Sequence, residues 1–199
     1  MSLSKNWQPG FGEIITWFAM DKNGRIAVMV NNCFGSLPSA LLAISDLEAK
    51  LDALNEFMWE ESSSFLSYPE NKKGQTVLDL YSCRRYRSTQ SRQEVEFSIS
   101  ERSQFDKKLS EYSIPSIKGF YVFHAVEGAT PSEDYPIGYT GNTVMGDYFR
   151  FLMPTLHGGV EDFPEELRAI VAVSDTLDFT TDQIIVSASI DLFFGRTFN

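Results

Sequence analysis

Two apolar runs, Ile14–Met20 and Arg25–Val30, flank the tetrapeptide Asp21-Lys22-Asn23-Gly24. Thr16 is the only polar residue of the first run, and the leading Arg25 is the only one of the second. An Asn-Gly pair between two such runs is the strongest short-range hairpin signal, because glycine adopts the positive φ that the turn requires at no steric cost. The runs do not alternate between apolar and polar residues. They therefore predict strands covered on both faces, which places them in the middle of a sheet.

The segment after Asn31–Gly35 reads as a helix start. Ser36 or Ser39 is the candidate cap, and Pro38 sits where the first turn tolerates proline. From Ala40, apolar residues recur at Ile44, Leu47, Leu51, Leu54 and Met58. Steps of three and four residues make one stripe on a 3.6-residue period. One amphipathic helix over about 39–60 is predicted, with Lys50 facing Asp46 on its polar side. The stripe is too short for a coiled-coil seam, which needs three or four heptads.

Glu61–Gln75 is polar and reads as an exposed connection. Thr76–Cys83 fits either a strand or a helical turn. Glu94–Ser100 alternates Val95, Phe97 and Ile99 with polar residues, which predicts a one-sided strand. Arg102–Tyr112 fits a short helix through Phe105 and Leu109. Gly119–Val126 and Tyr135–Thr140 read as a long-looped hairpin. Asp147–Met153 is ambiguous, and Leu167–Val173 and Gln183–Ile190 read as strands. The order of elements predicts an α+β fold, a mostly antiparallel sheet with the long helix packed on it, in a single domain over 1–199.

The chain has 199 residues, enough for a sizeable core without a metal or disulfide staple. Only two cysteines are present, Cys33 and Cys83, which suggests reduced thiols and a cytosolic setting. No apolar stretch approaches the ~18–20 residues of a membrane span, and a secretory signal is expected to be absent or already removed. The formal net charge is −10. It is uneven: residues 71–118 carry 10 basic against 6 acidic side chains, whereas 119–199 carry 3 against 12. An acidic chain is repelled by phosphate backbones, so a general nucleic-acid role is disfavoured. The band Arg84-Arg85-Tyr86-Arg87 is the local exception, a solvated face or an anion contact.

The two histidines, His124 and His157, are far apart in sequence, and no HExxH, CxxC or Cys/His cluster accompanies them. No metal site of ordinary spacing and no cofactor fingerprint is expected: Gly10-Phe11-Gly12 and Gly138-Tyr139-Thr140-Gly141 lack the context of a nucleotide loop. His157-Gly158-Gly159 has the look of oxyanion-hole glycines, but no Gly-x-Ser-x-Gly elbow supplies a nucleophile. Cys33, before a helix N-terminus, could serve as a nucleophile with His124 or His157 as base. A small hydrolase-like enzyme is therefore the alternative reading. Against it stand the acidic pairs Glu133-Asp134, Glu161-Asp162 and Glu165-Glu166, which suit solubility or the capture of a basic protein.

The segment Ile15-Thr-Trp-Phe-Ala-Met-Asp-Lys-Asn-Gly-Arg-Ile-Ala-Val, followed by Asn31-Asn-Cys-Phe-Gly-Ser-Leu-Pro38, resembles the start of small bacterial proteins of the toxin-immunity type. Gly119-Phe-Tyr-Val-Phe with Tyr135-Pro-Ile-Gly-Tyr is similar to a second hairpin in such chains. The resemblance implies a cytosolic, non-catalytic inhibitor of a cognate toxin. It carries over no site residues, because such proteins share no functional motif. The expected partner is a basic toxin domain, met through Glu133, Asp134, Glu161, Asp162, Glu165 and Glu166.

Overall fold

The computed structural model describes residues 3–61, 72, 74–87, 91–105, 113–128 and 134–199. The predicted hairpin is present. β1 (Thr16–Met20) and β2 (Ile26–Val30) pair antiparallel, with Met20 opposite Ile26. The turn differs from a two-residue Asn-Gly loop. Asp21 O accepts from Gly24 N at 3.0 Å, and Gly24 has φ +81°. This is a type I turn followed by a left-handed glycine, the usual three-residue hairpin loop. The buried Asp21 carboxylate fastens it by accepting from the backbone N–H of Asn23 and Arg25, each at 2.9 Å.

Both strands lie inside the sheet, as their unbroken apolarity predicts, but the sheet is mixed rather than mostly antiparallel. The further strands are β3 (Thr76–Leu78), β4 (Tyr81–Ser82), β5 (Tyr121–Ala125), β6 (Pro136–Ile137), β7 (Tyr148–Pro154), β8 (Val171–Val173), β9 (Ile184–Ile185) and β10 (Arg196–Thr197). The main order is β10-β8-β1-β2-β5-β7-β3, with β9 also on β7. β8 joins β1 in parallel, and β5 joins β2 in parallel. β4 and β6 form a separate two-stranded ribbon.

That ribbon displaces the predicted pairing of Gly119–Val126 with Tyr135–Thr140. Pro136 has no N–H to donate, and Gly138 turns away at φ +98°, so the second run yields only two strand residues. β5 pairs instead with the longer, apolar β7.

The helices are α1 (Ser39–Leu42), α2 (Leu47–Met58), α3 (Arg92–Phe105), α4 (Ser113–Ile117), α5 (Glu165–Arg168) and α6 (Ile190–Phe193). The single helix expected over 39–60 is thus two. The chain breaks at Asp46, which adopts a left-handed φ of +56°, a region aspartate tolerates better than most residues. The break re-aims α2 so that Leu47, Leu51, Leu54, Phe57 and Met58 face the core. α1 instead buries Leu41 and Leu42. Its first turn is capped from afar: Ser39 N–H and Oγ donate to the Asp191 carboxylate at 2.6 and 2.9 Å. Lys50 Nζ donates to Ser45 O rather than to Asp46.

The strand expected over Glu94–Ser100 is the middle of α3. Ser91 and Glu94 close a capping box: Ser91 N–H donates to Glu94 Oε2 at 3.0 Å, and Glu94 N–H donates to Ser91 Oγ at 3.3 Å. Val95 is buried and Ile99 packs beside it, one helical turn on, whereas Phe97 stays exposed. The helix expected over Arg102–Tyr112 is the continuation of α3 as far as Phe105; positions 106–112 lie outside the described residues. Of the expected strands Leu167–Val173 and Gln183–Ile190, only Val171–Val173 and Ile184–Ile185 are extended.

Along β5, Tyr121, Phe123 and Ala125 join one apolar cluster, while Val122 joins another. Alternation along a strand puts the two clusters on opposite faces of the sheet. The larger one takes in side chains from α1, α2, α5 and α6, and the smaller one takes in β4 and α3. No helix among the described residues is long and apolar enough to cross a membrane.

Candidate partner-binding face

The core-facing side of α2 fixes what its other side presents. With Leu47, Leu51, Leu54 and Met58 inward, Glu48, Asp52 and Glu56 fall four residues apart on the exposed side. Like charges at this spacing repel, by about 0.2–0.5 kcal/mol per pair. Glu48 is favoured by the positive end of the helix dipole, but Glu56 sits in the last turn, at its negative end. No ion pair engages any of the three among the described residues.

Beside this stripe, the chain before β1 forms a tethered turn. Trp7 is buried, and its Nε1–H donates to Glu13 Oε2 at 2.9 Å. Between them Gly12 adopts φ +95°, and Phe11 is held out at 91% exposure, with Ile14 at 67%. Between the turn and α2 lies a cleft of about 280 Å³, lined by Glu13, Ile14, Ile15, Glu48, Leu51, Asp52 and Asn55 among others. Asn55 Oδ1 is buried with no hydrogen-bond partner. A buried acceptor left so costs on the order of 1–3 kcal/mol.

α5 packs against α2. Phe57 and Phe163 meet edge to face at 6.3 Å just before α5 begins. Glu161, Glu165 and Glu166 are exposed there. Asp162, by contrast, is engaged within the fold: it accepts from Lys72 Nζ at 2.8 Å and from Gly159 N–H at 3.0 Å. Asp134 is interior, which corrects its placement on a binding surface. It is 1% exposed and accepts from Ser82 Oγ at 2.6 Å and from Arg84 N–H at 3.0 Å. Glu133 lies outside the described residues. The expected acidic set therefore splits. Glu161, Glu165 and Glu166 stay exposed on and just before α5, while Glu13, Glu48, Asp52 and Glu56, which pattern-reading for apolar residues passed over, are exposed or line the cleft on α2 and the chain before β1. The four-residue spacing of acids on the polar side of the predicted helix was the available signal.

The features that suggested chemistry are taken up by packing. Gly158 N–H donates to Gly119 O at 2.9 Å, and Gly159 N–H to Asp162, so neither amide is left for an oxyanion. His157 Nε2 meets the Tyr121 hydroxyl at 2.8 Å, with the rings stacked 5.6 Å apart. Burial, and then the nearby Arg25, hold its pKa below the usual imidazole value. His157 sits at the start of β5 and Cys33 beyond the end of β2, separated by about 10 Å or more of strand. His124 lies on the smaller-cluster side, its ring 4.8 Å from that of Phe151. Burial, and then Arg85, push its pKa down to about 3, too weak a base to take a thiol proton near neutrality.

In the basic band, Arg84 pairs with Glu127 at 3.2 Å. Burial raises the Glu127 pKa, with Arg84 opposing. Among the described residues no group of three or more His, Cys, Asp or Glu side chains is placed to hold a metal ion.

No protein-family profile matches the chain, nor does any curated protein or solved structure.

Proposed function

We propose that this chain is a non-catalytic binding protein whose acidic face, α2 with α5, takes a basic domain of another protein. The observation that carries the reading is the stripe Glu48-Asp52-Glu56, without an ion pair among the described residues and kept at a mutually repulsive spacing, with Glu56 at the helix end whose dipole opposes it. Solubility asks only for charge, and charge could be scattered at no such cost. A concentrated field, by contrast, steers an oppositely charged partner and speeds encounter. The resemblance of the first hairpin to toxin-immunity proteins makes a basic bacterial toxin domain the partner of choice. Inhibition would then follow from covering the toxin's working surface.

The test is the association rate with purified basic toxin domains, read by surface plasmon resonance at about 50 and 300 mM salt, between which the screening length shrinks about 2.4-fold. The comparison protein carries Glu48→Gln, Asp52→Asn and Glu56→Gln together with Glu161→Gln, Glu165→Gln and Glu166→Gln. For the native chain the rate is expected to fall steeply with salt, and less so for the variant. Equal rates and equal salt slopes would overturn the proposal.

A further inference from the structure

We infer that Asn23 is a site of spontaneous deamidation, held in check by Asp178, and that its conversion unfastens the first hairpin from the loop after β8. Asparagine is a thermolabile residue, and a following glycine opens it to this reaction, since no Cβ crowds the next nitrogen. Asn23 is exposed. Among the described residues, nothing beyond its chain neighbours comes within 4 Å of where a Cβ on Gly24 would stand. In the reaction the Gly24 nitrogen gives up its proton and attacks Asn23 Cγ, closing a five-membered succinimide ring. The Cγ–Nδ2 bond breaks, and ammonia leaves with that proton. Water, the only co-reactant, then opens the ring at either carbonyl and leaves aspartate or isoaspartate.

The fold resists each part of this. Gly24 N–H is donated to Asp21 O at 3.0 Å, which occupies the nucleophile. The type I turn sets ψ of Asn23 at about 0°, whereas ring closure needs the Gly24 nitrogen to swing round toward Cβ. Asn23 Nδ2 donates to Asp178 Oδ2 at 3.0 Å, which ties the reacting amide to the other loop. Asp178 is itself fixed through Oδ1, which accepts from Arg25 Nη1 and Thr180 N–H at 3.1 and 3.0 Å.

The same tie sets the consequence. Beside it, Lys22 N–H donates to Leu177 O at 3.1 Å. Once the amide has become a carboxylate, the donor to Asp178 is gone and two like charges face each other. The buried carboxylate of Asp21, which accepts from Asn23 N–H, adds a third.

For the test, the full chain is kept in warm, mildly alkaline buffer, natively and in concentrated urea, and isoaspartate at position 23 is followed by peptide mapping. Native conversion should be about twentyfold slower than conversion in urea, as two hydrogen bonds of ordinary net strength allow. Asp178→Ala should recover about fivefold, the factor of one such bond. Thr180→Val, which loosens the same loop without touching the Asn23 tie, should convert at the native rate. In Asn23→Asp the Lys22 amide should exchange its hydrogen about fivefold faster, while those of Phe18 and Val28 keep their native protection.

Native conversion as fast as that in urea would overturn the inference, as would an Asp178→Ala chain that converts no faster than the native one. Equal acceleration in Asp178→Ala and Thr180→Val would overturn the role given to Asp178. Unchanged exchange at Lys22 in Asn23→Asp would overturn the unfastening.

Discussion

His124 and Gly119 show how much a single position carries. His124 is neutral and buried, with a pKa near 3, against about 6.5 in an unfolded chain. Between those values the unfolded chain binds a proton that the folded chain refuses, so stability falls as the pH falls. The slope is about 1.4 kcal/mol per pH unit, or about 2 kcal/mol lost on going from neutral to pH 5. Urea unfolding should show that loss in the native chain and a clearly shallower one in His124→Gln. Parallel pH profiles would refute the assignment. Gly119 needs both its positive φ of +95° and its lack of a side chain, because a Cβ there would lie 2.3 Å from the backbone nitrogen of Gly158. Gly119→Ala should therefore cost more than about 2 kcal/mol in the same assay. A neutral result would mean that the His157-Gly158-Gly159 loop packs less closely than described.

Among the elements, α2 is where stability and binding pull apart. Replacing Glu48, Asp52 and Glu56 with their amides removes two repulsive i,i+4 contacts. The melting temperature should rise by about 2 °C, since the gain is below about 1 kcal/mol in a chain of this size. The same triple variant should associate more slowly with a basic domain. A lower melting temperature would show that these carboxylates support the fold instead. α2 and α3 also mark what a sequence reading can and cannot see. The stripe from Leu47 to Met58 was legible because burial on one face enforces its period. The break at Asp46 was not, since a single left-handed residue leaves the apolar spacing intact. In α3 the alternation of Val95, Phe97 and Ile99 imitated a strand, because positions 95 and 99 satisfy both periods. The Ser91-x-x-Glu94 capping box was the signal that separates the two.

Across the whole molecule, the first hairpin was readable because its turn and both its strands are local in sequence. The partners of that hairpin were not. β5 and β8 are short apolar runs, and nothing within them states which strand they join or in which direction. The acidic segments have the same character: Glu161, Glu165 and Glu166 could be named from sequence, but that α5 packs against α2, over more than a hundred residues of chain, could not. The parallel pairing of β1 with β8 has a consequence during synthesis. β1 is made about 150 residues before β8, the strand that covers its second edge. Over that interval, Phe18, Ala19 and Met20 present an unpaired apolar edge of the kind that recruits strands from other chains. A nascent chain of this protein is thus exposed to mispairing until β8 has been made, and a holdase chaperone would protect it most over that interval.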